Sequence, residues 1–366
     1  MRHSKIDKPL LFLLVVLIFG GFLIFSSAAF GLLARGQNGM LSVAFNHLVL
    51  GIGLGVLCLT VLAMIDYRQW RYFAPYLFAA TLVATALVFV PQIGFSHGGG
   101  TRWLDIFGLS VQPSEAVKIT SIMFASAFFG AVRGRAESIM WGLGGFFAII
   151  AIPAILLFLQ PDIGTLSIIA LSTFVVYVAA GARWRDIGIA IVIALICFAN
   201  ILYLKPHARD RVVTFINPSA NSQASGYQIR QSLIAIGSGE FLGRGFGQGI
   251  QKFTYLPEPM GDSIFAVAAE ELGFVGSVII IAVFLGLALR GFGIATQAPD
   301  LFGGLLAVGI STYLVGEAFI NIAAMLGVAP LTGVPLTFMS QGGSAMLVSL
   351  ASAGILLNIS RHRRAS

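Results

Sequence analysis

The chain has 366 residues, of which 57% are hydrophobic and only 10% charged, and its mean hydropathy is +0.92. No soluble globular class has that composition, whereas a polytopic membrane protein does. The net charge of +7 does not indicate a nucleic-acid binder, because the basic residues are scattered in ones and twos between apolar runs instead of forming one stripe.

Residues 1–9 carry Arg2, Lys5 and Lys8 ahead of an apolar run that reaches about Ala34. A signal peptide has an apolar core of roughly 7–15 residues, so this longer run reads as a first transmembrane helix at 10–34. Further runs of spanning length lie at 41–65, 73–94, 114–132, 138–159, 163–182, 187–204, 263–289, 303–326 and 341–360. They predict an all-α polytopic membrane protein of about ten transmembrane helices. The 43 glycines suit close helix contact in lipid, where small residues replace the missing hydrophobic drive between helices. Cys58 and Cys197 lie within apolar runs and are expected to pack as free thiols.

With the N-terminus in the cytoplasm, the segments on that side hold Arg2, Lys5, Lys8, Arg68, Arg71, Arg133, Arg135, Arg183, Arg185, Arg290, Arg361, Arg363 and Arg364. The short loops on the other side hold only Arg35 and Arg102, so the positive-inside bias predicts that both termini are cytoplasmic. One long extracytoplasmic loop, about 205–262, joins helices 7 and 8. Within it Tyr227, Ile229, Leu233, Ile234 and Ile236 have helical spacing, which predicts an amphipathic helix along the membrane surface. The glycines of GSGEFLGRGFGQG (237–249) lack the dinucleotide-binding spacing and follow no strand. No repeat or soluble module interrupts the chain, which reads as one transmembrane domain over 1–366.

Four polar groups fall on the outer side under this topology. The first holds Arg102, Gln112, Ser114, Glu115 and Lys118. Glu115 and Lys118 are three apart and share a helix face; they either lock helices together or, through Lys118 with Arg102, present cations to an anionic substrate. In the second, Asp162 opens the sixth helix, where an acidic residue caps free amides. The third is YLPEPMGDSIFAVAAEELG (255–273), with Glu258, Asp262, Glu270 and Glu271 at the mouth and in the first turns of an apolar run. Asp262 with Ser263 could cap that helix, while Glu270 could face the bundle; Glu270 and Glu271 point about 100° apart and cannot share a partner. The fourth, GVPLTFMSQGGSAM (333–346), is a broken entry to the last helix that includes Ser340 and Ser344, and such backbone is tolerated at membrane depth only where buried or lining a wet cavity. Glu317 and Asn321, four apart on the ninth helix, are expected to hydrogen-bond inside the bundle.

At these residues the chain resembles the SEDS family of bacterial membrane proteins (shape, elongation, division, sporulation), whose members include FtsW and RodA. The likeness runs along nearly the whole chain and is carried by TRWLDIFGLSVQPSEAVKI, QPDIGT, the stretch from SGYQIRQSLIAIG to EELGFVG, and GVPLTFMSQGGSAM, in that order. It implies a glycosyltransferase that polymerises lipid II into peptidoglycan strands at the outer face of the cytoplasmic membrane. The implied partners are a class B penicillin-binding transpeptidase and other divisome or elongasome proteins, with no nucleic acid. Asp262 matches the family's essential aspartate and is the expected catalytic base. Arg102, Gln112, Glu115, Lys118, Ser340 and Ser344 are expected at the substrate, with Asp162, Glu258 and Glu270 supporting them. A divalent cation, Mg2+ or Mn2+, is a conceivable helper at the pyrophosphate. LVFVPQIG (87–94), GQGIQKFTYLPE (247–258) and GILLNISRHRR (354–364) are more similar to the division branch than to the elongation branch, which places the protein at the septum. Met260, Gly261, Thr337 and Gln341 depart from the family pattern and leave the neighbours of Asp262 open. A lipid II flippase and an inactive scaffold are the competing readings; the first calls for a continuous polar path or symmetric broken helices.

Overall fold

The computed structural model describes residues 6–34, 45–91, 93–97, 100–106, 109–132, 134, 137–217 and 225–362. The charge-bias positions Arg2, Lys5, Arg35, Arg133, Arg135, Arg363 and Arg364 lie outside them. Among the described residues, the helices longer than two turns are α1 (Lys8–Ala34), α2 (Asn46–Met64), α3 (Trp70–Leu87), α4 (Pro113–Ala131), α5 (Ile139–Leu159), α6 (Ile163–Ala179), α7 (Trp184–Leu204), α8 (Pro206–Ile216), α9 (Ser225–Ser238), α10 (Ile264–Thr296), α11 (Leu301–Met325) and α12 (Gly343–Arg361). Each predicted span falls on one of them. Seven, namely α1, α2, α5, α7, α10, α11 and α12, are long and apolar enough to cross a membrane. Of the rest, α6 has only 17 residues and α4 carries Glu115 and Lys118.

Burial orders the helices. In α11 and α12, 72% and 78% of the spanning stretch is buried, against 6% in α7, so the first two form the centre and α7 stands at the rim. Asp7 ties the start of α1 to α10. Its carboxylate accepts from Leu10 N at 2.8 Å, capping α1, and from Arg290 Nε at 3.0 Å. The cysteines are free thiols, but Cys197 is exposed on α7 instead of packed.

Three expectations change. The third span does not run to residue 94: α3 ends at Leu87, and Gly94 opens a small antiparallel sheet of β1 (Gly94–His97), β2 (Gly100–Ile106) and β3 (Leu109–Val111). Phe95 faces Trp103 and Leu104 faces Val111, a register with too few alternating residues to be legible in advance. The amphipathic helix exists as α9, and one of its faces meets protein while Tyr227, Leu233 and Ile234 stay exposed. Ile229, Ser232 and Ala235 are buried against α10 and α11, and Ser232 Oγ reaches Met325 Sδ at 3.4 Å.

The third change concerns α10. It is longer than the predicted 263–289 and is broken at Gly273, where φ is +68° and ψ is −164°. A break inside an apolar helix strands backbone groups that lipid cannot satisfy. The glycine-rich stretch after α9 satisfies them: Arg244 N and Gly245 N each donate at 3.0 Å, to Glu270 O and Glu271 O, while Phe274 N donates to Glu240 O at 2.9 Å and Val275 N to Phe241 O at 3.2 Å. A Cβ at Gly239 would overlap Ala269 O and one at Gly243 would overlap Glu271 O, so glycine is needed there for backbone to meet backbone. At Gly273 a Cβ would overlap Gly243 N and sit 2.7 Å from Leu242 C. Gly273→Ala is therefore expected to destabilise the protein by about 2 kcal/mol or more, read as a lower unfolding midpoint in detergent, whereas Gly293→Ala, with open space around it, leaves the midpoint in place.

Candidate active site

Asp262 sits in the tight turn that leads into α10. Glu258 adopts φ +45°, and its carbonyl accepts from Gly261 N at 3.0 Å and Ser263 N at 3.1 Å. Two other segments clamp this turn. Asn321 of α11 donates Nδ2 to Asp262 O at 2.9 Å and to Val334 O at 2.8 Å. From the broken stretch before α12, Ser340 Oγ donates to Gly261 O at 2.8 Å and Gln341 N donates to Met260 O at 2.6 Å. Ser340 also accepts from Leu336 N at 2.8 Å, which fixes its hydroxyl. On the loop side, Gln228 of α9 reaches Ser263 Oγ at 3.0 Å.

The backbone of Asp262 is held on every side, and its carboxylate is not. Asp7, Asp162 and Asp300 each cap a helix, accepting from Leu10 N, Thr165 N and Gly303 N. The capping role conceivable for Asp262 is not taken: Ser263 occupies the cap position of α10 without a side-chain capping bond, and no hydrogen bond to the Asp262 carboxylate occurs among the described residues. The nearest cation is on α8. A point one Cβ bond above Gly333 lies 3.5 Å from both terminal nitrogens of Arg211 and 3.6 Å from Asp262 Oδ2, so the two side chains face each other across that glycine. Arg211 is anchored by a 3.3 Å bond to Leu331 O. Burial pushes the Asp262 carboxyl up to about 6, the neighbouring Glu258 adds to the rise, and Arg211 and Arg102 hold it back.

Arg102 and Asp162 stand in the same field but on separate supports. Arg102 projects from β2 and donates Nε to Gln160 O at 3.1 Å and Nη2 to Pro161 O, with Nη1 at 3.9 Å from Asp162 Oδ1. Asp162 opens α6 as expected, accepting from Thr165 N at 3.2 Å and Thr165 Oγ1 at 2.9 Å. Gln112 Nε2 donates to Asp162 Oδ2 at 3.1 Å and to Ser114 Oγ at 3.0 Å, and its backbone N–H donates to Ser344 Oγ at 3.2 Å. Gln112, Ser344, Asp162 and Arg102 thus form one network.

Lys118 is placed elsewhere. Its ammonium is buried within the bundle, 2.7 Å from Glu115 Oε2, and it donates to Glu317 Oε1 at 2.8 Å. It also lies 5.0 Å from the centre of the Tyr313 ring. The structure brings Glu115 and Lys118 together as expected and adds Glu317, but gives Lys118 to these carboxylates instead of joining it to Arg102. Glu270 and Glu271 divide as their 100° offset requires. Glu270 accepts from Ile250 N at 2.8 Å and Gln251 N at 3.2 Å, and Arg244 Nε lies 3.7 Å away. Glu271 pairs with the buried Lys252, which donates to Ser27 Oγ at 2.6 Å, and Ser27 donates back to Glu271 at 2.6 Å.

Sequence reasoning missed Arg211 and Asn321 as parts of the site. Asn321 shares a face with Glu317 one turn away, a usable signal; Arg211 is one of several loop arginines, and only the fold singles it out. No three acidic, histidine or cysteine side chains gather at ligand spacing among the described residues. A divalent ion here would need substrate phosphates for most of its ligands, with Asp262 and a neighbour as the protein's share. Chemically, the site offers an unspent carboxylate whose pKa burial raises to about 6, in the field of two guanidinium groups.

These features define a polytopic membrane protein with a charged site where α10, α11 and the long loop converge. The sequence profile of the FtsW/RodA/SpoVE cell cycle proteins matches residues 8–365, and the chain belongs to that family. It is 37% identical to the probable peptidoglycan glycosyltransferase FtsW of Geobacter metallireducens over 84% of this chain and 82% of that one. It is 36% identical to the peptidoglycan glycosyltransferase MrdB of Escherichia coli over 97% and 93%. Among solved structures, a chain from a peptidoglycan synthase complex that coordinates polymerization and crosslinking superimposes with a TM-score of 0.75 at 26% identity, covering 99% of both chains.

Lys118→Met is expected to leave Glu115 and Glu317 buried without their cation and to cost about 3–5 kcal/mol of stability in detergent. Adding Glu317→Gln to that variant recovers part of the loss.

Proposed function

We propose that the protein is a peptidoglycan glycosyltransferase that extends glycan strands from lipid II at the outer face of the cytoplasmic membrane, with Asp262 as general base. The observation that carries this reading is the Asp262 carboxylate, uncommitted to any cap or ion pair and held by its backbone beside Arg211. The names of the FtsW and MrdB relatives support the reaction class. In the step, the 4-hydroxyl of one sugar attacks the anomeric carbon of a second sugar linked to undecaprenyl pyrophosphate. Asp262 takes the hydroxyl proton as the new C–O bond forms. The bond to phosphate breaks on the opposite face, the pyrophosphate leaves with the electron pair, and the α-linkage becomes β. Arg102 and Arg211 offset the charge that grows on the leaving group, a role that suits guanidinium forks. Gln112, Ser340 and Ser344 shape the site; Glu115 and Lys118 hold the helices that carry it.

The outward orientation is supported by the basic residues at the opposite ends of these helices. We assign the class B penicillin-binding transpeptidase as partner, on the likeness to a chain of a synthase complex that joins polymerization to crosslinking. A septal role rests on the three division-like segments, because identities to the FtsW and MrdB relatives are alike. One transmembrane domain covers the chain.

Purified protein with lipid II is expected to yield long glycan strands, and Asp262→Asn to lower the rate about 10²–10⁴-fold; translocation of lipid II without polymer would replace this reading by a transporter. Activity should fall as pH drops through about 6, the carboxyl's value in the fold. That pKa is raised from 3.8, so the ionised group costs stability, and the cost appears as pH rises from about 4 through about 6. Asp262→Asn is thus expected to be nearly inactive yet more stable at pH 7–8, by up to about 3 kcal/mol. Asn321→Ala removes the bonds to Asp262 O and Val334 O and is expected to lower kcat about tenfold with little change in KM, as a positioning residue should.

A further inference from the structure

The helices that carry the Asp262 site at one end enclose a second feature at the other. A cavity of about 340 Å3 opens there between the turn ahead of α3, the end of α4 and the start of α11, lined by Arg68, Arg71, Tyr72, Gly130, Asp300 and Phe302, with Leu301 beside them. The proposed activity makes no use of it.

Its charges are unequally committed. Asp300 turns its carboxylate inward, accepting from Tyr67 Oη and from Gly303 N at 2.8 Å, with Arg68 Nε 3.5 Å away. Arg68 is further held by Asp66 at 3.6 Å and by the face of the Tyr67 ring at 5.4 Å. Arg71 is exposed, and among the described residues no carboxylate pairs with it. The acid at the rim is thus neutralised within the protein while one guanidinium faces the opening, next to a second that is already oriented. Below them Tyr72, Tyr76 and Val83 are exposed on one face of α3, at spacings of four and seven residues, so an apolar lane with tyrosines at its upper end runs from the cavity into the membrane. Gly130, without a side chain, leaves the inner wall open.

A cationic recess continuous with an apolar lane fits an amphiphile with a phosphodiester head. We infer that this cavity binds the head group of an anionic phospholipid of the adjoining leaflet, with Arg71 and Arg68 on the phosphate and the acyl chains along Tyr72, Tyr76 and Val83. This inference does not depend on the catalytic reading.

The test is retention of lipid by the full-length protein in neutral detergent, read by native mass spectrometry with equimolar phosphatidylglycerol and phosphatidylcholine. The wild type is expected to retain phosphatidylglycerol in clear preference, and Arg71→Gln to reduce that retention about fivefold. Arg183→Gln, which removes a cation outside the cavity that pairs with the exposed Glu137, should leave retention within twofold. Both residues lie at the surface, so the variants remain folded, checked by their unfolding midpoints. Equal retention of the two lipids, equal losses in both variants, or displacement of the lipid by millimolar inorganic phosphate would each overturn the inference; the last would make the cavity a small-anion site.

Discussion

The architecture depends on the need to satisfy two adjacent carboxylates, Glu270 and Glu271, that are buried just before α10 breaks. In a hydrocarbon setting neither charge nor freed backbone can be left to solvent. The chain answers both demands with one segment: the stretch 239–252 returns to α10, gives its amides to Glu270, its lysine to Glu271, and its backbone to the carbonyls and amides around Gly273. Ser27 closes the arrangement from α1. The long loop is thereby part of the bundle, and the turn that follows it emerges at a fixed place.

That fixed place gives the site its character. Other charged groups have direct side-chain partners: Lys118 two glutamates, Asp162 the start of α6, and Arg102 two carbonyls of the turn before α6. Asp262 differs because all its restraint is applied through its backbone, by Asn321, Ser340 and the Gln341 amide. A carboxylate held in this way keeps its lone pairs available while its position is set to within the tolerance of three hydrogen bonds. The raised pKa follows from the same arrangement, since burial without a direct donor leaves the charged form poorly stabilised.

Much of this was legible in the sequence where the signal is local. Apolar runs marked the helices, the three-residue spacing of Glu115 and Lys118 marked a pair, and Asp162 ahead of an apolar run marked a cap. What was not legible depends on closure over long separations. Asn321 and Asp262 are 59 residues apart, and nothing periodic links them. Glu317 joins Lys118 across 199 residues, so the trio could be seen only as a pair. The break at Gly273 is hidden inside a continuous apolar run, because its cause lies in the glycines of another segment. The small sheet was missed for a different reason: its strands are short and lie between helices whose hydropathy dominates any window.

The Asp7 to Arg290 pair carries a practical consequence for labelling. Asp7 is buried just ahead of α1, and it serves at once as cap for α1 and as counter-ion for α10. A fluorescent reporter joined upstream through a flexible linker spares it, but one spliced directly onto Lys8 strips Arg290 of its anion and frays the first helix. Loss of signal from such a fusion would then report damage at the junction and say nothing about where the protein resides in the cell.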